Sequence, residues 1–239
     1  MKFMQEKLHM KIHPGLNPPP FRAHVVEINE NKIMLSESYC FPRGGGQPGD
    51  IGIFIGDNFQ SNFMETLPGE LIQHPVKNSD LFVIDDIITC EIDSISRNRN
   101  TKLHTTQHIV SALANDIFGA ETVGNQISKE HTRLDLLFPD RDKFNSEILE
   151  TRFNEIIKTN AAVNIYQWSR EKIKSHEKMR HTNFLDRIPT SVKNLRVVEI
   201  EGIDLCPCGG THVDNIGLLD NLNIKNVKSK GAGKLRITY

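Results

Sequence analysis

Apolar and polar positions follow a two-residue period in the first part of the chain and a helical period later. FRAHVVEI (21–28), the polar triplet Asn29-Glu30-Asn31 and KIMLSES (32–38) read as strand, turn and strand. A glycine-rich turn follows, Arg43-Gly44-Gly45-Gly46-Gln47-Pro48-Gly49-Asp50. IGIFIG (51–56), LIQHPV (71–76) and LFVIDDIITCEID (81–93) are further strand candidates. Short strands with Gly, Pro and Asn turns predict a small barrel or sandwich. The texture changes around SISRNRN (94–100), and no long helical pattern precedes residue 97. In TKLHTTQHIVSALANDIF (101–118), Leu103, Val110, Leu113 and Ile117 recur near the 3.6-residue period, and Gly119 stands where a C-terminal cap belongs. A second helix is predicted from Asn145, its N-cap, to about Lys158, with Ile148, Phe153, Ile156 and Ile157 inward. RLDLLF (133–138), AAVNIYQW (161–168), LRVVEI (195–200) and KLRITY (234–239) are strand candidates around the helices. The expected class is α+β: a small N-terminal β-barrel-like domain at 1–96, then an α+β domain at 97–239.

Composition narrows the function. Of 239 residues, 38% are apolar and 25% charged, an ordinary globular balance. No apolar run approaches the roughly 18 residues that span a bilayer, so no membrane association is expected. The charged N-terminus lacks the apolar core of a signal peptide. Four cysteines are too few for a disulfide framework, and Cys206 and Cys208 stand together near a histidine, which points to metal binding in a reducing, cytoplasmic compartment. Charge is uneven: 7 Lys/Arg against 13 Asp/Glu in 1–96, but 22 against 17 in 97–239. Two basic clusters, Arg170, Lys172, Lys174, Lys178 and Arg180, then Lys225, Lys228, Lys230, Lys234 and Arg236, are candidates for phosphate contact.

The sharpest chemistry lies in two four-residue spacings. His104 and His108 share one face of the predicted helix, one turn apart. Cys208-Gly209-Gly210-Thr211-His212 places a thiolate and an imidazole four residues apart, with two glycines that permit positive φ and close backbone approach. Together they make a tetrahedral zinc set of three His and one Cys, one ion per chain. Cys206 is a spare thiolate without the four-residue spacing to His212. A zinc peptidase of the H-E-x-x-H type is unlike this site, because Thr105 follows the first histidine where that chemistry needs Glu.

These motifs resemble the freestanding alanyl-tRNA editing proteins, which are similar to the editing domain of alanyl-tRNA synthetase. The resemblance rests on His104-Thr105-Thr106-Gln107-His108, on Asp204 to Val213, on Arg196 to Ile200, on Gly124 to Ile127 with Arg133 to Asp135, and on Phe41 to Asp50. It implies a two-layer α+β editing domain behind the β domain, with the active site near their junction. It also implies hydrolysis of the ester that joins chiefly serine, and secondarily glycine, to the tRNA for alanine, without ATP or any nucleotide cofactor. A pocket for alanine cannot strongly exclude either amino acid, so a second sieve is needed. The implied substrate-binding residues are Gln126, on a strand expected to face the zinc, Gly45, Gly46 and Gln47 as a backbone donor loop, and Gly209, Gly210 and Thr211. Arg133 and Asp135 are expected to form a pair. Arg170, Lys172, Lys174, Lys178, Arg180, Lys228, Lys230 and Lys234 are the expected tRNA contacts. The competing reading is a tRNA-binding module whose four-ligand zinc is purely structural, since closed sites usually are.

Overall fold

The computed structural model describes residues 4–129, 131–180, 185 and 188–239. It divides into two compact units, Met1–Thr101 and Lys102–Tyr239. The first contains β1 (Glu6–Lys7), β2 (Phe21–Asn29), β3 (Lys32–Leu35), β4 (Glu37–Ser38), β5 (Gly52–Ile55), β6 (Gln60–Phe63), β7 (His74–Pro75) and β8 (Ile87–Ile92), and ends within α1 (Ser94–Phe118). Six strands form an antiparallel sheet in the order β6-β5-β8-β2-β3-β7. Alternation supplies its buried face: Ala23 and Val25 on β2, and Ile88, Cys90 and Ile92 on β8, join Ile33, Leu35, Phe54 and Phe63 in one core. Burying each large apolar side chain contributes roughly 1.5–3 kcal/mol. A lone bridge, Phe63 to Val76, and the Met64 N–H donating to the Pro75 carbonyl at 2.7 Å bring the two edge strands together at one point. The sheet therefore curls toward itself but does not close into a barrel.

Two strand candidates are shorter than the pattern predicts. Only His74–Pro75 of 71–76 and Ile87–Ile92 of 81–93 are strand. Residues 79–81 instead make a 3₁₀ turn capped by Asn78, and Asp85 takes a left-handed φ of 73° that breaks the run. The helix predicted over 101–118 begins earlier: 94–100 are the first turns of α1, with Asp93 Oδ1 accepting from the Ser96 N–H at 2.7 Å. Its anchor is Arg97, fully buried. Nε donates to Asp50 Oδ1 at 2.9 Å, Nη2 donates to Asp50 Oδ2 and to the Tyr39 carbonyl, and the guanidinium lies over the Tyr39 ring. Asp50 also accepts from the Phe41 N–H at 2.6 Å. The end of the glycine-rich motif is thereby fixed to the helix start by a buried ion pair.

The second unit contains the rest of α1, β9 (Glu121–Ile127), β10 (Thr132–Leu137), α2 (Ser146–Ile156), β11 (Val163–Ser169), α3 (Arg170–Ser175), β12 (Asn194–Ile200), β13 (Asp204–Pro207), β14 (Asn226–Ser229) and β15 (Lys234–Thr238). The strands make two antiparallel sheets, β14-β15-β10-β9 and β11-β12-β13, so the chain as a whole is α+β. Gly119, at φ 67°, ends α1, with its N–H on the Asn115 carbonyl and the Ala120 N–H on Ala114. Asn145 caps α2 through the Ile148 N–H at 3.1 Å. The buried stripe of that helix runs Leu149, Phe153, Ile157, while Ile148 is exposed, contrary to the predicted inward set. On α1 Ile117, one of the residues at the helical period, is exposed, whereas the helix is buried at every position from His104 to Ala114. Among the described residues no helix is long and apolar enough to cross a membrane.

Candidate metal centre

His104 and His108 leave α1 one turn apart, and Cys208 and His212 come from the loop after β13. The fold brings all four together: one donor atom from each lies within 4.8 Å of the others. Cys208 Sγ is 3.5 Å from His104 Nε2 and 3.4 Å from His212 Nε2. A tetrahedral zinc with Zn–N near 2.05 Å and Zn–S near 2.3 Å sets an N–S edge of about 3.6 Å, so the donor set fits that ion. The outward nitrogens are already engaged. His108 Nδ1 meets Asp204 Oδ2 at 2.9 Å, and His212 Nδ1 meets Thr105 Oγ1 at 3.1 Å. That leaves the Nε2 atoms to face the ion, the arrangement by which hydrogen bonds orient metal-binding imidazoles.

Electrostatics favour the ligand forms of Cys208 and His212, while, despite burial, the thiols and Asp204 around His108 hold its imidazole well above its usual value. Burial would raise the Cys208 thiol, but His104 and His108 beside it hold it well below its usual value. Burial keeps the His212 imidazole well below its usual value, hence neutral. Cys206 behaves differently. Burial, with Asp204 beside it, pushes its thiol up to about 12, and its S–H donates to Asp204 Oδ2 at 3.4 Å. It sits against His108 Nδ1, outside the four-donor group.

The loop owes its shape to Arg196, whose Nη1 donates to the carbonyls of Cys208 and Gly210 at 2.8 and 2.9 Å. The Gly210 N–H points at Cys208 Sγ, 3.3 Å away. Neither Gly209 nor Gly210 uses a positive φ. The glycine at 210 is needed for proximity instead: a Cβ there would lie 1.7 Å from His104 Cε1. Thr211 is buried in the same loop. Three supporting residues carry roles that the spacings do not announce. Thr105 marks the absence of a peptidase Glu, yet its hydroxyl accepts from the Val213 N–H and meets His212. Asp204 has a signal that could have found it, because it alternates with Cys206 on one strand face. Arg196 has no local signal.

The other expected site residues make contacts of their own. Gly45 and Gly46, at φ 57° and 83°, form a tight two-residue turn closed by reciprocal bonds between Gly44 and Gln47. The N–H groups of Arg43, Gly44, Gln47, Gly49 and Asp50 are all spent within the first unit. Gln126 is exposed opposite Arg133 in the β9–β10 ladder, on the face away from buried Ile127 and Leu134. Asp135 pairs not with Arg133 but with Arg236, at 2.6 and 2.8 Å. Among the expected tRNA contacts, Arg170 donates to the carbonyls of Leu185, Ile188, Pro189 and Val192, and Arg180 grips Asp116 and Asn115. Both guanidiniums are thus engaged within the chain. Lys172, Lys174, Lys178, Lys228, Lys230 and Lys234 are exposed, Lys172 with its ammonium over the Trp168 ring.

Residues 195–238, which hold β12, β13 and the Cys–His loop, match the family described as threonyl and alanyl tRNA synthetase second additional domain. Along the chain as a whole, the alanyl-tRNA editing protein AlaX-M of Methanosarcina mazei is 29% identical over 231 residues, covering 92% of this chain and 90% of that protein. An alanine–tRNA ligase of Methanosphaera stadtmanae is 29% identical over 245 residues, 98% of this chain but only 27% of the ligase. The AlaX-M of Saccharolobus solfataricus is 32% identical over 222 residues, 92% of each chain. With that identity spread over nine-tenths of both sequences, the chain belongs to the alanyl-tRNA editing protein family.

Proposed function

We propose that the protein hydrolyses the ester of mischarged tRNA for alanine, chiefly the seryl and also the glycyl form, with a single zinc held by His104, His108, Cys208 and His212. The observation that carries this reading is the convergence of those four donors in a chain whose relatives are named for alanyl-tRNA editing. Residues 97–239 would carry the reaction, with exposed Lys174, Lys178, Lys228, Lys230 and Lys234 offering cations to the phosphate backbone. When bound, the zinc supplies a Lewis acid that can orient the substrate's polar groups. The chain's residues fix the donors: Asp204 orients His108, Thr105 orients His212, and Arg196 shapes the Cys208–Gly210 turn. Serine differs from alanine by one hydroxyl, so discrimination needs a polar reader. The donor cluster suits that role better than exposed Gln126. A site built to bind the hydroxyl rejects the analogue lacking it by a factor on the order of 10⁴.

The deciding assay is deacylation of seryl-, glycyl- and alanyl-tRNA with and without chelator. Seryl-tRNA should be cleaved, alanyl-tRNA largely spared, and the activity lost with the metal and restored by zinc. Equal cleavage of alanyl- and seryl-tRNA would refute the editing function. One observation favours the alternative of a purely structural zinc: His104, His108 and His212 are all buried. Cys208 is only half-buried and Gly209 is exposed, which leaves one side of the cluster open. Full activity in a metal-depleted but folded protein would favour the structural role.

A further inference from the structure

Behind His108 a second group of donors converges. His108 Nδ1, Asp204 Oδ2 and Cys206 Sγ lie 2.9 to 3.4 Å from one another. This invites a second ion, but the positive charge there is already present. Arg180 Nε lies 3.6 Å from Asp204 Oδ1. Its Nη2 makes a two-oxygen pair with Asp116 at 2.8 and 3.0 Å, its Nη1 donates to Asn115 Oδ1 at 2.9 Å, and its backbone N–H donates to the Leu205 carbonyl at 2.8 Å. The guanidinium is thus clamped between the end of α1 and β13. A cation placed among Asp204, Cys206 and His108 would face it across one carboxylate.

The Asp204 side chain is only 1% exposed. A buried carboxylate against a neutral, metal-bound imidazole is costly without a partner charge. Its two oxygens serve different partners. Oδ2 takes the His108 Nδ1–H and the Cys206 S–H, and Oδ1 faces Arg180. We infer that Arg180 is a positioning residue for the metal centre, acting through Asp204 to hold that carboxylate turned onto His108, so that His108 presents Nε2 to the ion. This rests on the metal reading given above. Arg180 stands behind Asp204 rather than among the four donors, and it is a quarter exposed, on the wall of a cleft of about 890 Å³ that Asp204 and Glu199 also line. A neutral side chain at 180 can therefore be accommodated there without overpacking. Outer partners of metal-binding histidines are typically worth 10- to 100-fold in metal affinity.

The experiment is a double-mutant cycle on zinc affinity, read by competition with a chromophoric chelator, using wild type, Arg180→Met, Asp204→Asn and the double variant. Cobalt-loaded samples report the ligand field by their visible spectrum, and His104→Ala is the reference for a lost ligand. Arg180→Met, which acts one residue further out than Asp204, should weaken zinc binding about 10-fold, the lower end of that range, and shift the cobalt spectrum. Arg180→Lys should recover most of the affinity, because charge opposite Asp204 matters more than the guanidinium fork. Asn at 204 still accepts from His108 Nδ1 but needs no cation, so in the Asp204→Asn background Arg180→Met should cost less than about threefold more. Equal losses in both backgrounds, or an Arg180→Met protein with wild-type affinity and spectrum, would overturn the role of Arg180. Wild type and His104→Ala holding zinc equally would instead overturn the metal reading itself, so the two failures are distinguishable.

Discussion

Replacing Gly210 by alanine adds one methyl group and should dismantle the metal centre. The new Cβ would sit 1.7 Å from His104 Cε1, 2.1 Å from Nδ1 and 2.9 Å from Nε2. Ordinary carbon contacts begin near 3.5 Å, so either the ring or the loop must retreat by nearly 2 Å. The loop is poorly placed to yield, because Arg196 holds the carbonyls on both sides, at Cys208 and Gly210. Metal–donor distances tolerate only about 0.2 Å, roughly a tenth of the required shift, so His104 leaves the coordination sphere. A four-ligand zinc site binds with about 10–16 kcal/mol. A quarter of that, about 3 kcal/mol, is on the order of a hundredfold in affinity. Chelator competition should therefore find Gly210→Ala close to His104→Ala and far from wild type. Affinity within about threefold of wild type would refute the reasoning, since the crowded ring would then not be a ligand.

Three further outcomes are expected. Arg97→Met or Asp50→Asn should each cost about 3–5 kcal/mol in urea unfolding, because each strands the other buried group without its partner. Asp135 is held below its ordinary value by the hydrogen bond and charge of Arg236. The pair thus stabilises the fold above the usual carboxylate range and loses that contribution as pH falls through the depressed value. After discounting for solvent, Asp135→Asn should cost at most about 1 kcal/mol near neutral pH and nothing at the lowest pH of a thermal-melt series. Lys228→Glu and Lys230→Glu should each weaken tRNA binding and reduce its salt slope by about one, whereas Arg170→Ala should lower thermal stability and leave that slope unchanged.

The four-residue spacings make the donor cluster legible, because i and i+4 on a helix and a short Cys–His loop each fix a pair of donors before any tertiary structure is known. The caps at Gly119 and Asn145 are legible for the same local reason. What the sequence hides depends on distant partners. Arg97 stands in a polar run where no helical pattern is visible, and its burial depends on pairing with Asp50. Thr105 and Asp204 act on histidines about a hundred positions away in sequence. Strand β9 also holds an irregularity that the sequence does not announce. The β9–β10 register slips between Asp135 and Leu136, so Gly124 pairs with Asp135 but Thr122 with Leu136. Such a bulge reassigns which side chains share a face, and alternation counted along the sequence cannot reveal it.

The two halves of the donor set lie 104 positions apart along the chain, measured from His104 to Cys208. Both helices α2 and α3, and every strand from β9 to β13, fall inside that span. An ion gripping both ends is therefore a cross-link that closes a loop of about a hundred residues. In an unfolded chain a closure of that length removes about 4–5 kcal/mol of conformational entropy, much as a disulfide would. A bound ion would thus give the chain a long-range staple without spending cysteine pairs on one, and the staple would open to a chelator rather than to a reductant. Chemical competence and the tethering of that span would then rise and fall with the same ion.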